Sequence, residues 1–349
     1  MAFANLFSNV ASKLLGAAPA GDTGKVEPEL VQMAVESIVD AVDPRLRVVS
    51  GYQGKIAPAV TRTIVHMRTL ARDLPEPIAL SRAAWGTDPL LNAMFATADD
   101  VPAVLGRSDE LRKFFESTGN AAAAEACALL GMLKVERNVL APAIVDGVLR
   151  QDVAQTTVSF SRHTLIAPAA DFMACRREVG VRILKRLAAL ALERITALGE
   201  RATELEQRKA VLGAKLRMLT LKRGGLEEAV GGPGDIGAEI AALERELKAT
   251  VDNYVEIKAS LSTLETRLEQ VNAIFGAPAQ HVNLARVELR VSKTGFKVAA
   301  GSSEPAADLK LSELSIGDGL TAIIALVRCQ RAELPPKETL SARAARVVL

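Results

Sequence analysis

The stretch IAALERELKATVDNYVEIKASLSTLETRLEQVNAIF, Ile240 to Phe275, decides the fold. Within it Ile240, Leu243, Leu247, Thr250, Tyr254, Ile257, Leu261, Leu264, Leu268, Val271 and Phe275 advance by alternating steps of three and four. On an α-helix such residues share one face, and a face sustained over several heptads has to be covered by another helix. At 1.5 Å per residue this helix runs about 54 Å.

Upstream, Leu184, Ala188, Ala191, Ile195, Leu198, Ala202, Leu205, Lys209, Leu212, Leu216 and Leu219 repeat the pattern. Between the two runs, Arg223 to Gly237 carries two glycine pairs and Pro233. Backbone entropy and the missing N–H end a helix there, and so short a break favours folding back over continuing as one rod. The core of the resulting antiparallel hairpin is read as Leu198, Leu205, Leu212 and Leu216 against Ile240, Leu243, Leu247, Leu261, Leu264 and Leu268. Charge agrees with that pairing. Residues 171–223 hold 13 Lys/Arg and 6 Asp/Glu, whereas 224–276 hold 4 and 10. Matched flanks of opposite sign select partner and register more than they add stability. Lys209 at a core position is read as a register device, and homo-oligomerisation through the same seams is the competing arrangement.

Composition sets the outer bounds. A chain of 349 residues accommodates a globular body and an arm, and 49% hydrophobic residues with a net charge of +2 exclude wholesale disorder. Aromatics at 3% imply aliphatic, mostly helical cores. Cys127, Cys175 and Cys329 are far apart without a CxxC pair, which gives neither a disulfide framework nor zinc-ligand spacing and fits a reducing, cytoplasmic setting. No apolar run reaches the roughly 18 residues of a transmembrane segment.

From the N-terminus, Phe3, Leu6, Phe7, Val10, Leu14 and Leu15 lie on one helical face, so residues 1–25 read as an amphipathic segment and linker that docks on the body, a partner or a membrane surface. Residues 26–150 read as a helical bundle. Helices are predicted at Glu29–Val42, after Pro28, and at Lys55–Leu74; Asp88 and Ser108 cap two more, and Ala121–Leu133 forms another. Alternation then marks strands at Asp152–Leu165 and Val282–Val291, with Phe296–Ala299 as a hairpin partner, Leu309–Leu314 as a further strand and Leu320–Arg328 as strand or helix. Residues 151–170 and 277–335 are assigned to a small antiparallel sheet, 171–276 to the arm inserted between its strands, and 336–349 to a tail. The fold class is α+β, predominantly helical.

Motifs for chemistry are sparse. Gly232-Pro233-Gly234-Asp235-Ile236-Gly237 matches GxGxxG but lacks the preceding strand, and Pro233 removes an N–H from the phosphate cradle, so it reads as a hairpin tip. Ser159, Ser161 and His163 alternate on one strand without an orienting carboxylate, which reads as a solvated face. His66 reads as a packing residue, Trp85 as an anchor of the body, and Asp99-Asp100 and Glu227-Glu228 as a helix start and a polar turn. No cofactor, metal or catalytic residue is assigned. The densest basic cluster, Arg176, Arg177, Arg182, Lys185 and Arg186, is the candidate contact for phosphate or a partner. The sequence therefore points to a non-enzymatic coiled-coil interaction or assembly protein that binds a protein partner. A nucleic-acid-binding module using the basic helix, and an enzyme whose site carries no known motif, are the alternatives.

Overall fold

The computed structural model describes residues 26–145, 148–223, 236–299, 302, 304–317 and 319–336. The amphipathic segment at the N-terminus, the glycine-rich link with Gly232–Asp235, Glu227-Glu228 and the tail beyond Pro336 lie outside the described residues. The fold is mixed α+β, with an antiparallel sheet and long helices that pack together after its strands. Contacts group the described residues into two compact units, one of Val26–Thr63 and Leu184–Ala277, the other of Ile64–Ile183 and Pro278 onward.

In the first unit, α1 (Pro28–Val42) begins with Pro28 in its first turn and is followed by a 3₁₀ turn, Pro44–Val48, capped by the Asp43 side chain on Arg45 N. Then come α2 (Tyr52–Asp73), whose first half belongs here, and the long helices described below.

In the second unit, β1 (Ile78–Leu80) leads into four short helices: α3 (Arg82–Trp85), α4 (Pro89–Met94), α5 (Asp100–Arg107) and α6 (Asp109–Glu116). Asp88 caps α4 by accepting from Leu90 N and Leu91 N, and Ser108 caps α6 by accepting from Leu111 N. Two long strands follow, β2 (Glu125–Val145) and β3 (Val148–Ala169); α7 (Phe172–Arg223) starts in this unit and from Leu184 belongs, with α8 (Ile236–Leu261) and α9 (Leu264–Gly276), to the first, and the short α10 (Pro278–His281) comes after them. The chain returns as β4 (Val282–Val291), β5 (Ala307–Ile316) and β6 (Leu320–Gln330). The long helices thus stand in the chain between β3 and β4, the two ends of one sheet ordered β3-β2-β6-β5-β4.

Three expectations require correction. The helix expected at Ala121–Leu133 is the start of β2; Leu320–Arg328, expected as strand or helix, is a strand. Ala126, Ala128, Leu130 and Met132 belong to one core, while Cys127 and Leu129 are buried on the opposite side of the same strand. A strand buried on both faces reads as a continuous apolar run, whose periodicity cannot be told from a buried helix. Second, Phe296–Ala299 is no strand. Phe296 and Lys297 make single bridges, to Thr157 and Val291. Third, the second arm helix is interrupted at Ser262-Thr263. Ser260 and Ser262 turn their hydroxyls onto Ile257 O and Ala259 O, and Thr263 starts α9 in a reciprocal cap with Thr266. Hydroxyls that offer the backbone another partner favour such a restart.

Those bridges close the sheet. Val298 N donates to Arg290 O on β4, while Val158 N on β3 donates to Gly295 O and Lys297 N donates to Thr156 O, each at 2.8 Å. The segment Ser292–Val298 is therefore a strap joining the two ends of the sheet path, and the hydrogen-bonded circuit runs β3-β2-β6-β5-β4-strap-β3. Gly295 makes the turn at φ +84°, a conformation that costs an L side chain dearly. Curvature comes from β3. At each of its three register shifts against β2 the extra residue lies on β3, and Arg162 and Ala167, within two of them, have positive φ. Bulges of this kind bend a strand and increase its twist.

One face of the closed sheet shares a single apolar cluster with α4–α6: Leu130, Leu309 and Ile323 from the strands, Phe95, Leu105 and Phe115 from the helices. On the other face Leu284, Leu314 and Ile324 meet Leu70 and Leu74 of α2 and Val179 and Ile183 of α7 around a void of about 20 Å³.

Candidate functional site

Three features are candidates for chemistry or recognition: the basic root of α7, the paired long helices and a cavity beside the strap.

The basic root is largely engaged within the protein. Arg176 donates through Nη2 to Leu74 O at 2.9 Å and lies over the Phe172 ring, and desolvation pushes its pKa down. Arg182 forms a fork on Glu110 at 2.7 and 3.2 Å, and Glu110 also accepts from Ala167 N at the positive-φ bulge. Arg186 pairs with Glu193 at 2.7 Å, while Arg177 and Lys185 are half-buried on the same helix. The five residues expected together are split between the two units, with Arg176, Arg177 and Arg182 in one and Lys185 and Arg186 in the other. The first and third of them brace α7 against the residues that precede it.

Along the long helices the heptad positions form a covered stripe. Leu205, Leu212, Ile240 and Leu268 are buried, and Leu198, Leu216, Leu243, Leu247, Leu261 and Leu264 are half-buried. Arg208 pairs with Glu246 at 2.6 Å, Arg194 donates to Gln270 at 2.8 Å, and the Lys209 ammonium lies 4.7 Å from the Tyr254 ring centroid. These contacts fix an antiparallel pair and give Lys209 an aromatic partner in place of an unpaired core charge. On the outer side of α7 a second apolar stripe is uncovered. Val211 is 54% exposed, Met218 51% and Leu221 77%, with the exposed Ala214 between them. Their spacing of three, seven and ten residues puts all four on one face. The sequence reading missed this stripe because the stronger inner seam accounts for the heptad signal.

The cavity, about 910 Å³, lies at the strap. It is walled by Trp85–Pro89 and Asn92–Ala96, by Val158–Phe160 of β3, by Val291–Gly295, and by Pro305–Ala307 with Leu309. Trp85 is held by its Nε1–H on Phe95 O at 2.9 Å. Phe95 stacks on His163 at 4.6 Å, and His163 Nε2 bonds Met94 O at 2.8 Å. His163 is thus docked on α4 instead of standing on a solvated strand face, because the bulge at Arg162 breaks the alternation that would have grouped it with Ser159 and Ser161. Burial lowers its pKa. The ionisable side chains among the described lining residues are Asp88, already spent as a cap, and Lys293.

His66 Nε2 bonds Val282 O at 2.7 Å. The three cysteines are buried and unpaired, and burial first, then the neighbouring thiols, pushes Cys175 and Cys329 up to about 12. Thiols so shifted are poor nucleophiles. Among the described residues no cluster of His, Cys, Asp or Glu is arranged to hold a metal ion, and no helix is long and apolar enough to cross a membrane. No protein-family model, no curated protein and no solved structure matches the chain significantly.

Proposed function

We propose that this is an interaction protein whose paired long helices bind a partner, and that the partner contributes an acidic amphipathic helix. The observation that carries the reading is the uncovered stripe Val211, Ala214, Met218 and Leu221 on α7. An unpaired heptad face buries apolar area only when another helix is laid along it. Its surroundings define the partner's charge. Around it Lys215, Arg217, Lys222 and Arg223 are exposed, and the chain from Gln207 to Arg223 has no Asp or Glu. A second copy laid stripe on stripe would oppose like charges, whereas glutamates flanking an apolar seam would match them.

The engagement of Arg176 and Arg182 inside the protein favours this reading over phosphate binding at the root of α7. The test uses two labelled helical peptides with leucine seams, one flanked by glutamate and one by lysine. The glutamate peptide is expected to raise fluorescence anisotropy saturably, the lysine peptide not to. Replacing Val211, Met218 and Leu221 together by Gln should abolish binding. Equal binding of both peptides, or binding that survives the triple replacement, removes this surface as the partner site.

A further inference from the structure

We propose that the cavity at the strap is a binding site for a small apolar molecule bearing one anionic group, such as a medium-chain or aromatic carboxylate. Its position is one that folds use for ligands, the mouth of a closed sheet, and its volume of about 910 Å³ suits a small organic molecule. Much of the wall is apolar. Trp85, Pro89 and Ala93 come from the α3–α4 side, Val158 and Phe160 from β3, and Leu309 from β5. Phe160 and Trp85 are only half-buried, so both keep surface to offer a ligand.

Charge decides the class. Asp88 accepts through Oδ1 from Leu90 N and Leu91 N, so its charge is held at the N-terminus of the helix it caps. Lys293, by contrast, is exposed on the strap, and no carboxylate among the described residues lies within ion-pair distance of it. The hydroxyls of Ser292 and Thr294, 3.0 Å apart, flank it. An ammonium and the two neighbouring hydroxyls on the strap, beside apolar walls, match an amphipathic anion. A cation would be repelled by Lys293, and a fully apolar molecule would gain nothing from it.

The strap is held by backbone hydrogen bonds to both β3 and β4, so the rim is positioned before any ligand arrives.

The chain supplies its own reporter, since Trp85 is its single tryptophan and lines the cavity. The full-length protein is titrated, below micelle formation, with decanoate, decylammonium and decanol while Trp85 emission is followed. Decanoate should give a saturable change and bind more tightly than either comparison compound. Lys293→Gln, at an exposed position, should weaken decanoate about tenfold or more, the size of a lost charge-assisted contact, and leave decanol unaffected. Ala93→Phe, at a half-buried position on α4 that lines the cavity, should remove the response to all three. The absence of a saturable change with decanoate overturns the site. Equal affinities for decanoate and decylammonium, or a Lys293→Gln protein that binds decanoate like the wild type, overturn the anionic class.

Discussion

Glu110 shows how one side chain can serve two parts of the second unit. Its carboxylate takes the Arg182 fork from α7 and the Ala167 amide at a bulge that could not otherwise satisfy its N–H within the ladder. Removing it leaves that N–H without a partner and the half-buried guanidinium with Glu178 alone, so Glu110→Ala should cost about 1–3 kcal/mol in denaturant unfolding. Arg182→Ala should cost less, and the double variant should lose less than the sum of the two. Additive losses would show that Glu110 and Arg182 do not act together. This site was not legible in the sequence, for a simple reason of distance: Glu110 finds its partners 57 and 72 residues further on. The caps at Asp88 and Ser108 were legible because each binds an amide two or three residues away. The basic cluster at the root of α7 lies between these cases. Its charges are plain in the sequence, but the carbonyl and carboxylate that engage Arg176 and Arg182 come from remote segments.

At the scale of the element, period was a good guide wherever one face of a segment is wet. The bounds of β4 and the covered stripe of the long helices follow from alternation and from heptads. β2 was misread because both its faces are covered. The break between α8 and α9 was passed over because Leu261, Leu264 and Leu268 keep the heptad count across Ser262-Thr263. The physical signal was local, a threonine followed three residues later by another side chain able to reach back. In the structure Thr263 Oγ1 accepts from Thr266 N at 3.1 Å, and Thr266 Oγ1 accepts from Thr263 N at 3.2 Å. Thr263→Ala should therefore destabilise α9 by about 1 kcal/mol, while Thr263→Ser or Thr263→Asp should keep most of the cap. Chemical denaturation of the three variants checks this. If the alanine variant is as stable as the serine one, the restart is held by packing alone. α9 has such packing: its Phe275 O accepts from the buried Thr63 hydroxyl at 2.7 Å, and Arg267 reaches Asp43 at 3.3 Å.

At the scale of the whole molecule, the shifted groups predict how stability depends on pH, and the two directions of shift act in different windows. His163 is held below its ordinary value of 6.5, burial outweighing the bond to Met94 O. Its neutral form is the one the fold prefers. Its contribution is therefore complete above the unfolded-state value, and it is lost as the pH falls through 6.5 and on through the folded value, because the unfolded chain takes up the proton first. Asp43 is held low chiefly by the Arg45 side chain. In Glu36 burial pulls the other way and is outweighed by hydrogen bonds from Tyr52, Gln53 and Arg47. These carboxylates stabilise the fold above their ordinary range, and that stabilisation disappears as the pH falls through their lower folded values. Stability should thus fall in an upper window belonging to His163, in the unit that contains Trp85, and in a lower one belonging to Asp43 and Glu36 and, in the second unit, to Glu136, where burial is outweighed by Lys134 and Lys297, which hold it low. Urea unfolding from about pH 8 to pH 3, followed by Trp85 emission and by far-ultraviolet circular dichroism, separates them. His163→Phe should keep the stack on Phe95 and flatten the upper window while leaving the lower one in place. Should the variant lose stability between pH 7 and pH 5 as steeply as the wild type, the upper window does not arise from His163, and the docking of that ring on α4 has no part in the protein's response to mild acid.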